Sequence, residues 1–233
     1  MASRRTAPSQ GRERRLNDTD DLAPTGRRGA TRLKILEAAY DLFSAHGVTL
    51  VGVDTISARS GVAKMTLYHH FRAKENLVLA YLDLRAKRWT VGWLKAGVKA
   101  RGKTPRERLL AIFDLFHDWF EADGFEGCPF LRIICESDVG SPVHKATAQK
   151  LGQIQNYVGQ LARSALVSDP QGLASAWMML MEGAIMSARS GQTDAALKAK
   201  KAAAVLLDAW GNKGAKKAAK AVRKPAAKRK PTR

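Results

Sequence analysis

Cysteine is almost absent from this sequence: 233 residues hold two, Cys128 and Cys135. Seven positions apart on a helix, they are separated by about 10 Å of rise, beyond disulfide reach. That excludes a disulfide framework and reads as a pair of reduced thiols in a cytoplasmic chain. Long hydrophobic runs are also missing. The longest, Leu173 to Ala188, is interrupted by Glu182 before it reaches the roughly 18 to 20 residues of a membrane span. The Arg-rich start has no apolar stretch of the kind a secretory leader needs. Strand alternation, hairpin dipeptides and internal repeats are lacking, so sandwiches, barrels and solenoids are excluded. There is no phosphate-binding glycine loop and no nucleophile elbow. Neither Glu136, Asp138 and His144 nor His117, Asp118 and Glu121 has metal-ligand spacing. The expectation is a protein that is not an enzyme and carries no metal or cofactor.

Acidic charge is scarce as well, with 21 Asp and Glu against 40 Lys and Arg, a net charge of +19. Residues 211–233 hold ten basic side chains and no acidic one, and residues 1–28 hold seven basic against four acidic. A basic excess concentrated in a tail without an apolar face points to a polyanion, nucleic acid before membrane. The tail, a mix of Lys, Ala and Pro, resembles the basic tails of linker histones.

The chain divides into four parts. Residues 1–28 have almost no large apolar side chains and read as a disordered basic arm. From Thr31 the spacing of Ile35, Ala39, Leu42, Phe43 and His46 is helical and stops at Gly47. Two short helices, Val53 to Ser60 and Lys64 to His70, follow on either side of Gly61-Val62-Ala63, making a three-helix unit over 29–73. Residues 74–210 carry longer helices at about 74–99 with a break near Gly92, 105–122, 129–137, 142–166, 170–190 and 194–210. Their starts are marked by Thr104-Pro105-Arg106-Glu107, Ser141-Pro142, Asp169-Pro170 and Thr193-Asp194. Residues 211–233 read as a disordered basic tail. The expected fold is all-α, with about nine helices.

Within Val53–Lys74, the residues Val53, Ile56, Val62, Leu67 and Phe71 have the spacing of a small core between two short helices, with Gly61 at the turn. This is a helix-turn-helix pattern. With Val62, Leu67 and Phe71 inward, the side chains of Lys64, Met65, Thr66, Tyr68 and His69 project where a major groove can be entered. They offer charge, hydrogen bonds and apolar surface to phosphates and base edges.

These residues resemble the TetR family of transcriptional regulators. The match runs through Ile35, Ala38, Ala39, Phe43, Gly47, Ile56, Gly61, Val62, Thr66, Leu67, Tyr68, His70, Phe71, Lys74 and Leu77. Departures fall at Gly52, Ser57, Ser60, Ala63 and Met65, where the family often has Thr, Ala, Ala, Ser and Gly. The resemblance implies that Thr66 and Tyr68 contact the sugar-phosphate backbone, that Lys64 and His69 lie near base edges or phosphate, and that Lys74 holds a phosphate. Lys74 has an independent reason, because it adds a full charge to the positive end of a helix dipole. Thr55, Met65 and Arg32 complete the expected contact set, and Arg27 and Arg28 stand beside Arg32.

For the larger part, the resemblance implies a helical bundle around a small-molecule pocket, whose filling moves two DNA-binding heads out of register. Trp89, Trp93, Phe113, Phe116, Phe120, Cys128, Phe130 and Tyr157 are the expected lining, and each aromatic has ordinary core packing as its alternative. Cys128, just before Pro129, is either a thiol activated by a helix terminus or a buried inert one. Helices 170–190 and 194–210 are apolar on several faces, through Leu173, Trp177, Met178, Leu180, Met181, Ile185, Leu197, Val205, Leu206 and Trp210. One face packs on the bundle and the other predicts a homodimer.

The expectation is therefore a sequence-specific transcriptional regulator, a repressor released by a small-molecule effector. It acts as a homodimer on double-stranded DNA with a palindromic operator and is located in the cytoplasm at the bacterial nucleoid. The alternative is a nucleoid-associated protein that binds DNA mainly nonspecifically through its tail.

Overall fold

The computed structural model describes residues 26–222, and every regular element among them is helical. The expected arm lies outside the described residues up to Thr25, as does the tail beyond Val222. A head is formed by α1 (Arg27–His46), α2 (Val53–Ser60) and α3 (Lys64–Phe71). Next, α4 (Lys74–Arg85) passes into a π-helical segment, Ala86–Lys95, and then into α5 (Ala96–Arg101), forming one continuous rod. The remaining helices are α6 (Pro105–Phe120), α7 (Pro129–Glu136), α8 (Pro142–Ser164), α9 (Pro170–Arg189) and α10 (Ala195–Val222). With the rod counted once, the described residues make nine helical units.

Local chemistry sets the starts. Thr104 accepts from the Glu107 amide at 3.2 Å, while the Glu107 carboxylate accepts from the amides of Thr104 at 3.2 Å and Lys103 at 2.8 Å. That reciprocal cap satisfies donors that the first turn of α6 leaves over. Ser141 accepts from the His144 amide at 3.1 Å, and Asp169 from the Gly172 amide at 2.9 Å. Each is followed by Pro, whose missing N–H costs nothing there.

Three boundaries differ from the sequence reading. First, α1 begins at Arg27 instead of Thr31, so Arg27 and Arg28 stand in its first turn, and the Thr31 hydroxyl bonds back to the Arg27 carbonyl at 3.1 Å. Second, the rod does not break near Gly92. It widens into π winding, and Trp89 and Trp93 both reach Phe116 with ring centroids 6.3 Å away. Third, α10 continues past Gly211 to Val222, because an Ala- and Lys-rich segment favours helix enough to carry two glycines, Gly211 and Gly214.

The head has its own core. Ile35, Ala39 and Phe43 of α1 meet Ile56 of α2 and Leu67 and Phe71 of α3, all buried, with Val53 and Val62 partly buried against them. The head joins the rod through Tyr81, fully buried, whose ring lies edge-on to Tyr40 and Phe43 with centroids 5.5 Å from each. Polar contacts reinforce that joint: Tyr81 shares a hydrogen bond with Ser44 at 3.2 Å, Arg85 donates to the Tyr40 hydroxyl at 3.1 Å, and Arg88 forms a forked pair with Glu37. From α7, Glu136 accepts from Thr49 at 2.8 Å, just beyond α1. The bundle core is built where α6, α8, α9 and α10 meet, around Phe113 and Trp177 with ring centroids 5.5 Å apart.

Candidate nucleic-acid interface

The turn between α2 and α3 depends on Gly61, at φ 65° and ψ 23°, a left-handed conformation that costs a Cβ-bearing residue about 1 kcal/mol or more. The Val62 amide bonds to the Ser57 carbonyl at 3.3 Å, and the Ser57 hydroxyl donates to the Val62 carbonyl at 2.6 Å. Ser57, a departure from the family pattern, thus closes the turn it borders.

That turn orients α3. Leu67 and Phe71, four residues apart, point into the head core, and Lys64, Met65, Thr66, Tyr68 and His69 are exposed on the other side. Met65 is 79% exposed, an apolar side chain held in water. Thr55 is exposed on α2. No side chain caps the N-terminus of α3, where Ala63 is the N-cap, or that of α4, where Ala73 is. Both helix starts therefore present amide donors with no side-chain acceptor.

Lys64 is not a lone charge. Its ammonium lies 2.8 Å from the Asp54 carboxylate on α2, and that hydrogen bond, with the attraction of the carboxylate, raises its pKa. Arg32 is tucked under the end of α3, its guanidinium 4.2 Å from the centre of the Phe71 ring, with burial lowering its pKa and one terminal nitrogen buried without a partner among the described residues. His70 is half-buried, and burial, followed by the charges of His69, Arg28 and Arg32, lowers its pKa. Lys74 is half-buried at the start of α4, and burial lowers its pKa too. Between α3 and α4, Arg72 takes φ 54°, and the Ala73 amide bonds to the Phe71 carbonyl at 2.5 Å. This strained tight turn fixes where Lys74 begins the rod.

The expected pocket residues come together, but as a packed cluster. Trp89, Phe113, Phe116, Phe120, Phe130 and Cys128 are buried. Trp93 stacks on Phe116 at 10°, and Trp119 and Phe125, which were not among the expected lining residues, fill the space between the other rings. Burial pushes the Cys128 thiol up, which opposes thiolate formation. Beside it lies Arg85, 3% exposed, with its Nε buried and without a partner among the described residues. An open cleft of about 400 Å³ lies elsewhere, between the π-helical segment and α8. Tyr157 alone among the expected lining residues borders it. The others in its wall, including Thr90, Lys95 and Asn156, carried no sequence signal, because π winding cannot be read from helical periodicity.

Among the described residues no cluster of His, Cys, Asp or Glu could hold a metal ion, and no helix is long and apolar enough to cross a membrane.

Comparison with known proteins places this geometry. Residues 35–81 match the family model for bacterial regulatory proteins of the tetR family, and residues 105–204 match the tetracyclin repressor-like C-terminal domain. The HTH-type transcriptional activator FasR of Mycolicibacterium smegmatis is 36% identical over 114 residues, 48% of each chain. The HTH-type transcriptional regulator QacR of Staphylococcus aureus is 37% identical over 82 residues, 35% of this chain and 43% of QacR. The matched parts thus span about half the length of these curated relatives. Solved structures align further. A TetR-family transcriptional regulator from Streptomyces coelicolor is 26% identical with a TM-score of 0.68, covering 78% of this chain and 96% of that one. A second, from Streptomyces avermitilis, is 28% identical with a TM-score of 0.68, covering 77% and 97%. With both its head and its bundle matched, the chain belongs to the TetR family of bacterial regulatory proteins.

Proposed function

We propose that the chain is a sequence-specific, DNA-binding transcriptional regulator that works as a homodimer, a repressor released by a small-molecule effector. The observation that carries this reading is the face of α3: Lys64, Met65, Thr66, Tyr68 and His69 project together from a helix anchored by Leu67 and Phe71. Thr66 and Tyr68 supply hydroxyls to the phosphate backbone, and Met65 offers apolar contact of the kind a thymine methyl takes. Lys64 exchanges Asp54 for phosphate. The uncapped N-termini of α3 and α4 give amide donors to flanking phosphates, with Lys74 adding charge at the second. Thr55, Arg27 and Arg28 extend the contact line over the backbone, and Arg32 braces α3 from behind through Phe71.

The second copy is supported by α9 and α10. Met179 and Met186 are 71% and 58% exposed on one face of α9, and Gly183 stands between them with nothing near its missing Cβ. On α10, Val205 is 69% and Leu197 38% exposed. An apolar stripe with a small residue at its middle suits close helix approach across a two-fold axis, over about 170–190 and 194–210. A two-fold dimer sets recognition helices about 34 Å apart and calls for a palindromic operator.

Effector control runs through the joint between head and bundle. The Tyr81, Arg85 and Arg88 contacts tie α1 to the rod, so a shift of the rod is conveyed to α3 through the shared head core.

The test is enrichment of random DNA duplexes by the full chain and by a version ending at Gly211, side by side at about physiological salt. Recovery of one palindrome by both is the expected result. Binding without enrichment, lost on truncation, overturns the reading and assigns the DNA binding to the basic tail.

A further inference from the structure

The cleft between the π-helical segment and α8 has an unusual wall. Among the described residues its ionisable cations are Lys87 and Lys95, and no carboxylate lines it. Facing them, α8 contributes the carboxamides of Gln153 and Asn156 and the phenol of Tyr157. Elsewhere along the same seam between rod and α8, charge is matched: Lys150 of α8 lies 2.5 Å from Asp83 of α4. Within the cleft, Lys95 rests over the Tyr157 ring, 5.2 Å from its centre, in place of a carboxylate.

Thr90 supplies the second, independent observation. It is 4% exposed, borders the cleft, and its hydroxyl has no hydrogen-bond partner among the described residues. A buried helical Thr ordinarily bonds the carbonyl one turn back, as the Thr147 hydroxyl does to Val143 at 2.7 Å. Thr90 forgoes that bond, and an unpartnered buried hydroxyl is costly unless something fills the role.

Winding explains why these groups converge. Ala86 and Lys95, nine residues apart, both line the cleft. On an α-helix of about 3.6 residues per turn they would sit on opposite faces. A π-helix, wider at about 4.4 residues per turn, brings them to the same face after two turns. The rare winding therefore brings Ala86, Thr90 and Lys95 together at the opening onto α8.

We infer that this cleft binds a hydroxylated organic anion, a carboxylate or a phosphate ester of metabolite size, with Lys95 pairing the charge, Thr90 bonding an oxygen beside it, and Gln153 and Asn156 bonding the hydroxyls. The inference rests on the reading of this chain as an effector-controlled regulator. A volume of about 400 Å³ falls in the range of small-ligand sites. The amides donate and accept in equal measure, which suits hydroxyl groups, and the absence of a carboxylate disfavours cations.

The experiment is titration calorimetry of the full chain with four compounds of one skeleton: gluconate, glucose 6-phosphate, glucose and glucosamine. The two anions are expected to bind, the neutral and cationic sugars at least tenfold more weakly. Gluconate against glucose 6-phosphate tells a carboxylate effector from a phosphate ester. Lys95→Gln is expected to lower anion affinity at least tenfold and Thr90→Val severalfold, with the melting temperatures of the unliganded variants confirming that both fold. Binding of glucose or glucosamine as tight as that of the anions overturns the inference. So does anion binding that both variants retain, which places the anion on other basic surface, or absence of binding by either anion. Operator selection by the unliganded chain is measured separately, so a failed regulator reading shows as loss of DNA selection and not as loss of anion binding.

Discussion

The Lys64 ammonium and the Asp54 carboxylate lie 2.8 Å apart across the helix-turn-helix, so the foremost cation of the recognition helix is already paired within its own head. If α3 enters DNA as proposed, phosphate competes with that pair. Asp54→Asn removes the competitor and an anion facing the phosphates, and is expected to raise affinity for any duplex about two- to fivefold. Lys64→Ala is expected to lower the slope of log affinity against log salt by about 0.9. Lys74→Ala is expected to do the same with dimerisation retained, as fluorescence anisotropy over a salt series would show. Unchanged slopes in both lysine variants would remove the assigned contact surface.

A buried guanidinium makes Tyr40 more costly to lose than its neighbours. Tyr40→Phe deletes the acceptor that Arg85 reaches at 3.1 Å and leaves a buried charge without it, a loss of about 1–3 kcal/mol. Ser44→Ala leaves the buried Tyr81 hydroxyl without its neutral partner and is expected to cost about 1 kcal/mol, the low end of the same range because no charge is involved. Urea unfolding of the two variants should rank them in that order.

Alkaline pH should expose the burial of Tyr81. Burial raises its pKa from 10.0 to about 12. Between those values the unfolded chain has lost the phenolic proton and the folded one keeps it, so stability falls as pH rises. Two units correspond to roughly 2–3 kcal/mol, present below pH 10 and lost by about pH 12. The decline between pH 10 and 12 is expected to be shallower in Tyr81→Phe, because that group no longer titrates.

Met186→Glu places a charge on the exposed stripe of α9. Sedimentation is expected to show the wild-type chain as a dimer and the variant as a folded monomer with at least tenfold weaker palindrome binding. A variant that remains dimeric would move the interface off this stripe.

What the sequence made legible follows from periodicity and caps. Leu67 and Phe71, four apart, set which side of α3 faces inward, and Thr104, Ser141 and Asp169 mark helix starts that the structure keeps. Contacts set by angles between helices were not legible. The Lys64 to Asp54 pair depends on the direction given by Gly61, and the burial of Arg85 depends on how α1 and the rod bring Tyr40 and Tyr81 to it. Aromatic content alone does not tell rings that line a void from rings that fill it. Trp93 and Phe116 fill it, stacked on one another. Periodicity also assumes one winding, so the π-helical segment and the face it turns toward α8 had no counterpart in the sequence.

The rod from Lys74 to Arg101 has a thermodynamic consequence. One end begins beside α3 and the wall of the cleft lies further along the same uninterrupted helix, so no break in that helix separates the proposed DNA contacts from the proposed effector site. Linkage then works in both directions. Whatever factor an occupant of the cleft takes from operator affinity, the operator takes from the occupant's affinity. A DNA-bound dimer would thus require a higher effector concentration to respond than free protein does, and the number of operators in a cell would set part of its own threshold for release.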